Sequence, residues 1–184
     1  VNRPAILTRP GVITTPQQNL ALFRIYVAYR SLLSVVLLIM LISPNTRELV
    51  GSLNPTLYAS IALAHLATSV PLVGSVSRRL NQRLMLLVFI VDIVAITLMA
   101  DFSGGMASGL PVLLVITVAA SAVLISNRTL ATLIAALSVL ALLLDTVRLI
   151  IIDILAVETL FPAGLLGALI FAVSLMMQVV AQRL

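Results

Sequence analysis

The sequence predicts an all-α fold: a polytopic membrane bundle of six transmembrane helices with both termini in the cytoplasm. Three observations predict it. Hydrophobic residues make up 61% of the 184 and charged residues only 9%, against roughly 25% charged in a soluble domain. The apolar residues fall into long runs with few charges, most of them near the ~20 residues that a bilayer core requires. The net charge of +5 comes from eleven basic residues, all of them Arg, and they stand mostly between the runs on alternate connections.

The spans are expected at about 22–43, 57–76, 84–101, 110–126, 130–152 and 162–182. A spanning segment must satisfy its own backbone hydrogen bonds, so each is read as helix. Stretches such as Leu32-Leu33-Ser34-Val35-Val36-Leu37-Leu38-Ile39 lack the alternation of a β-barrel strand. Connections are short. Ser43-Pro44-Asn45 ends the first helix and Asn54-Pro55 opens the second. Ser77-Arg78-Arg79 through Arg83 leads into the third. Ser103 to Gly109 joins the third and fourth, with Pro111 suited to a first helical turn. Asn127-Arg128 precedes the fifth, and Asp153 to Phe161 leads to the sixth, which opens at Pro162.

Residues 1–19 carry Pro4, Pro10 and Pro16 with Arg3 and Arg9 and have no apolar core. They read as a flexible cytoplasmic tail with no cleavable signal peptide; residues 20–184 form the membrane domain. The chain starts at Val and stops straight after an apolar run, which suggests a piece of a longer protein. One side of the bundle collects Arg3, Arg9, Arg24, Arg78, Arg79, Arg83, Arg128 and Arg183, and the other holds Arg47, Glu48, Asp153 and Glu158. The Arg-rich side is expected in the cytoplasm, hence a multi-pass membrane protein with both termini inside.

Ionisable residues inside a span cost at least about 2.5–3.5 kcal/mol each, so each calls for a partner. Arg30 lies six residues beyond Arg24, roughly 9 Å into the membrane at 1.5 Å per residue. Asp92 lies eight residues beyond Leu84, roughly 12 Å in from the same side. The matched depths predict an Arg30–Asp92 contact between the first and third helices; the alternative is that Arg30 snorkels and Asp92 is protonated or hydrated. Asp101, Asp145 and Arg148 gather toward the other face, with Asp145 and Arg148 at i,i+3 spacing. They read either as an ion pair fastening helices three and five or as a contact point for a ligand or partner helix. His65, the single histidine, is expected to make an interhelical hydrogen bond, because a lone His cannot build a zinc site. Ser60, Ala64 and Thr68, and likewise Gly164, Ala168 and Ala172, recur every four residues and predict close packing within the bundle. Gly104, Gly105 and Gly109 are expected to give a hinge between helices three and four.

Several motifs are missing. No Walker loop, HExxH, GxSxG or nucleotide fingerprint is present, and there is no Cys, so thiolate metal sites and disulfides are excluded. No catalytic residue and no cofactor is expected in this chain.

A set of residues resembles the membrane domain of the PilS-type sensor histidine kinases of type IV pilus regulation. They are Leu22-Phe23-Arg24-Ile25-Tyr26-Val27-Ala28-Tyr29-Arg30, Asn54-Pro55-Thr56-Leu57-Tyr58, and Asp92 followed by Phe102-Ser103-Gly104-Gly105-Met106-Ala107-Ser108-Gly109-Leu110. Leu113-Leu114, Ala119-Ala120 and Arg128 complete the likeness, which runs from about residue 20 to 184. The resemblance implies a sensory domain of a dimeric two-component kinase whose PAS and kinase domains, with their ATP and Mg, would follow the last helix. It also implies pilin as the sensed partner, through its transmembrane helix, and PilR as the response regulator. Arg30, Asp92, Asp101, Asp145 and Arg148 are the candidate sensing residues. A small ion- or proton-coupled transporter is the alternative function, although no inverted repeat is visible.

Overall fold

The computed structural model describes residues 16–44, 46, 48–75 and 82–183. Arg3, Arg9, Arg47, Arg78 and Arg79 lie outside the described residues, as does most of the expected N-terminal tail. Six α-helices follow one another: α1 (Pro16–Ile42), α2 (Pro55–Ser75), α3 (Gln82–Asp101), α4 (Leu113–Leu124), α5 (Arg128–Ile151) and α6 (Leu160–Arg183). Among the described residues, Leu20–Ile42, Gln82–Asp101, Arg128–Ile151 and Val157–Arg183 are each long and apolar enough to cross a membrane.

The helices outrun the hydropathy boundaries, because hydropathy marks where the bilayer ends and not where the helix does. α1 begins at Pro16, six residues before the expected start; Pro needs no N–H partner in a first turn. α5 begins at Arg128 because the Asn127 carboxamide oxygen accepts from the N–H groups of Thr129 (2.9 Å) and Leu130 (3.4 Å), satisfying two of the donors that a helix start leaves open. Asn54 plays the same part for α2, accepting from Leu57 N–H at 3.1 Å.

α4 is shorter than expected. Its α-helical part has only 12 residues, roughly 18 Å at 1.5 Å per residue. The preceding Gly105–Ser108 and Leu110–Val112 are tight 3-10 turns. Gly104, Gly105 and Gly109 have φ of +88°, +63° and +72°, a region that residues with a Cβ rarely adopt, so the chain cannot enter a regular helix before Leu113.

α5 ends on Asp153, a non-glycine residue at φ +62°. Its N–H bonds Ile150 C=O at 3.0 Å, and Ile154 N–H bonds Leu149 C=O at 2.9 Å. That paired closure is a Schellman motif, which Asp tolerates better than most side chains.

α1 packs on α2, α2 on α3, α3 on α4 and α5, and α6 on α4 and α5. Central α3 buries Met85, Val88, Phe89, Asp92, Ile93, Ile96 and Met99. Its other face, with Leu87, Val94 and Leu98, is exposed and equally apolar. A surface as apolar as the core is the mark of lipid as solvent, where helices associate through close packing rather than through the hydrophobic effect. Two buried hydroxyls of α5 bond within their own helix: Ser138 donates to Ile134 C=O (2.9 Å) and Thr146 to Leu142 C=O (2.8 Å).

The small-residue stripes do not pack as expected. Ser60, Ala64 and Thr68 are exposed, as are Gly164, Ala168 and Ala172. Close approach instead uses buried Gly167, where an added Cβ would stand 3.0 Å from Val139 Cγ1 on α5. Spacing reveals that a helix has a smooth face; it does not reveal which of its faces meets a neighbour.

Three connections share one end of the bundle. Leu53 N–H bonds Phe102 C=O at 3.0 Å, and Gly51 N–H bonds Ser103 Oγ at 2.8 Å. Gly105 lies against Leu149 and Leu155. Helix alternation puts Arg24, Arg83, Arg128 and Arg183 toward the opposite end.

Candidate functional site

α1 presents Tyr26, Arg30 and Ser34 at intervals of four, one above another on a single helical face. All three are buried. α2 brings His65 to that face and α3 brings Asp92. The Arg30 Nε stands 2.6 Å from Asp92 Oδ1, with both side chains only 2% exposed. His65 Nε2 lies 2.9 Å from the same oxygen and 3.1 Å from Arg30 Nε. Its Nδ1 meets Ser34 Oγ at 2.8 Å. The Tyr26 hydroxyl donates to the other carboxylate oxygen, Asp92 Oδ2, and Thr117 of α4 faces that hydroxyl. Arg30 Nη2 donates to Thr68 Oγ1 on α2 at 2.8 Å.

The centre therefore ties α1, α2 and α3 together inside the bundle, where unpaired charge is costly. Its groups satisfy one another: Asp92 neutralises Arg30, and Tyr26 and His65 occupy the remaining carboxylate positions. Such an arrangement specifies one packing of three helices. Each member constrains the next, and a missing member strands a buried charge.

A second cluster lies at the end that holds the glycine-rich connection. Arg148 Nη1 of α5 donates to Asp101 Oδ2 of α3 at 2.6 Å; the Arg148 side chain is 59% exposed and that of Asp101 only 7%. Asp145 is buried beside Asp101. Arg148 thus pairs across the helix interface, fastening α5 to α3, although Asp145 lies three residues away on its own helix. One cluster draws on α1, α2 and α3 and the other on α3 and α5, at different positions along α3, so the five candidate residues do not form one site.

A family model described as PilS-like transmembrane domain matches residues 14–184. The chain belongs to the PilS-like transmembrane domain family. Neither the curated proteins nor the solved structures yield a match. This PilS-like domain is a membrane-embedded, multi-pass six-helix unit, and its buried ionic centre falls in three of its helices.

Sequence reasoning reached Arg30, Asp92 and His65 but treated His65 apart from the pair. Tyr26 enters there only within the stretch that carries the family resemblance, and neither it nor Ser34 is given a place in the site. The available signal was their spacing of four on either side of Arg30, together with the need of a buried phenol for a partner. The spacing of small residues marks Thr68 as a packing residue, yet its hydroxyl oxygen accepts from Arg30 Nη2. The glycine-rich connection of the PilS-like domain is closely packed at Gly105, which is buried and where an added Cβ would come within 2.5 Å of Leu149 Cδ1, and open at Gly109, where it would meet nothing within 4 Å. Among the described residues, no group of three or more His, Cys, Asp or Glu is placed to hold a metal ion.

Proposed function

We propose that the chain is the sensory domain of a two-component sensor histidine kinase that controls type IV pilin transcription, and that it senses pilin by helix contact in the inner membrane. One observation carries the reading: in a PilS-like transmembrane domain, a single buried ionic centre links three helices. A centre that fails as a whole when one helix moves gives a switch with two discrete packings.

A pilin helix that binds one packing better than the other shifts the balance, and α6 carries the change toward a kinase through Gln178 and Arg183. The connection with Gly104, Gly105 and Gly109 acts as the hinge between α3 and α4. Arg148, exposed beside Asp101 and Asp145, is the contact offered to a partner helix. Both termini lie in the cytoplasm, on the arginine-rich side. The kinase works as a homodimer, takes ATP and Mg in its own catalytic domain and phosphorylates the response regulator PilR.

The test is a pilin-promoter reporter in cells that carry the full-length protein, with pilin expression varied. Arg30→Gln and Asp92→Asn should each flatten the response to pilin when the reporter signal is taken per amount of protein in the membrane, since each variant also loses stability. A response that survives replacement of all six helices by an unrelated membrane anchor would overturn the reading.

A further inference from the structure

Gln178 of α6 reaches Thr132 of α5 at 3.3 Å. The first turns of α5 and the last turns of α6 therefore lie side by side, at the end of the bundle that carries Arg24, Arg83, Arg128 and Arg183. A groove of about 530 Å³ opens between them. It is lined by Arg128, Thr129, Thr132, Leu133 and Ala136 of α5 and by Gln178 of α6.

The five α5 residues fall on one helical face by their spacing. Arg128 opens a segment long and apolar enough to cross a membrane, so it stands at the boundary between water and lipid. Ala136 lies eight residues further on (136 − 128), roughly 12 Å deeper at 1.5 Å per residue. Along that depth the lining passes from a cation through two hydroxyls to aliphatic surface.

Two polar groups of the groove are left open. The exposed Arg128 side chain makes no hydrogen bond or ion pair with another described residue. Gln178 is only 8% exposed and uses one end of its carboxamide: Nε2 lies 3.1 Å from Ser174 Oγ and 3.3 Å from Thr132 Oγ1, while Oε1 has no partner among the described residues. A half-turn of the carboxamide keeps both contacts, because each hydroxyl can donate to Oε1 as well as accept from Nε2. In either orientation one end of a buried amide is unanswered, which is costly beside hydrocarbon unless a ligand pairs with it.

We propose that this groove is a binding site for an anionic phospholipid, with the phosphate between Arg128 and Gln178 and an acyl chain along Leu133 and Ala136. The phosphate selects the orientation in which Oε1 accepts from Thr132 and Ser174 and the two N–H groups of Gln178 donate outward. The Arg128 guanidinium adds charge-assisted hydrogen bonds to the same oxygens. A basic pocket between transmembrane helices at headgroup level suits such a lipid. A partner helix would meet the apolar part of the groove and leave Arg128 and Gln178 unanswered. A free phosphate would leave Leu133 and Ala136 uncovered. The bound lipid fastens α5 to α6, whatever the domain senses.

The test is native mass spectrometry of the full-length protein in mild detergent, titrated with phosphatidylglycerol and with phosphatidylcholine of the same chains. Phosphatidylglycerol should bind clearly more tightly. Arg128→Gln should weaken it about tenfold, as expected for the loss of one charged hydrogen-bonding group. Gln178→Glu keeps acceptors for the two hydroxyls but sets a carboxylate against the phosphate, and should weaken it as well. Ala136→Phe fills the apolar part and should do the same with no change of charge. Arg128 and Ala136 are exposed, so these two variants carry the test even where Gln178→Glu fails to fold. Arg24→Gln removes another exposed arginine at the same end and should leave binding unchanged.

Equal binding of the two lipids overturns the proposal, and so does a loss in Arg24→Gln as large as that in Arg128→Gln. Unaltered binding in Ala136→Phe removes the acyl chain from the groove and overturns it too. Displacement of phosphatidylglycerol by millimolar inorganic phosphate would make the groove a site for free anions, against the lipid proposed.

Discussion

Arg30 of α1 and Asp92 of α3 meet at 2.6 Å inside the bundle, sixty-two positions apart in sequence (92 − 30) and each nearly sealed from the surroundings. Removing one partner from such a pair strands the other. Arg30→Gln and Asp92→Asn are each expected to destabilise the domain by about 3–5 kcal/mol. The double variant should lose clearly less than the sum, since both charges are then gone. Unfolding in mild detergent, run as a double-mutant cycle, measures this; strict additivity would contradict the pairing.

Gly105 and Gly109 share a left-handed backbone but differ in their surroundings. A Cβ at Gly105 meets Leu149 Cδ1 at 2.5 Å, whereas one at Gly109 meets nothing within 4 Å. Gly109→Ala should therefore cost only the backbone strain, about 1–2 kcal/mol. Gly105→Ala should cost the same strain and the displacement of Leu149, another 1–3 kcal/mol or so. Equal melting temperatures for the two variants would refute the assigned packing.

Gly167 sets the spacing of α5 and α6, with Val139 Cγ1 only 3.0 Å from where a Cβ would sit. Gly167→Leu should push the helices apart and lower stability. Val139→Ala in the same chain should recover part of the loss, because it vacates the space that the new side chain enters. Thermal denaturation of the two variants tests this, and absence of any rescue would speak against the contact.

Asp101 and Asp145 lie together under the exposed Arg148. Arg148→Gln leaves the two buried carboxyl groups without their cation and should lower the melting temperature. Adding Asp145→Asn should restore part of it by removing one of the like groups. The outcome that sinks this account is a further fall in the double variant.

The N-cap of α5 gives a small control. Asn127→Ala should cost about 0.5–2 kcal/mol, because two backbone N–H groups lose their acceptor. Asn127→Asp should be nearly neutral. Chemical denaturation distinguishes them.

How much of this could be read from the sequence depended on the range of the interaction responsible. Six helices were legible because lipid imposes a length and a composition on every span, and both are local properties. The Arg30–Asp92 contact was legible because depth can be counted from the ends of each span, one coordinate of three. The register of a helix against its neighbours supplies the other two. The smooth stripes at Ser60-Ala64-Thr68 and Gly164-Ala168-Ala172 accordingly pointed to the wrong faces, while Gly167 escaped notice. Helix ends were blurred because capping by Asn127 and the left-handed turn at Asp153 do not alter hydropathy.

The sequence by itself determined that this protein lives in hydrocarbon, that it crosses on helices and which ends carry arginine, since each follows from the solvation of single segments. Only the tertiary structure decided that Tyr26, Ser34 and His65 join Arg30 and Asp92 in one centre, and that Arg148 bonds Asp101 rather than Asp145. Hydrogen bonds act over about 3 Å, and a pattern along one chain cannot say which side chains from different helices come that close.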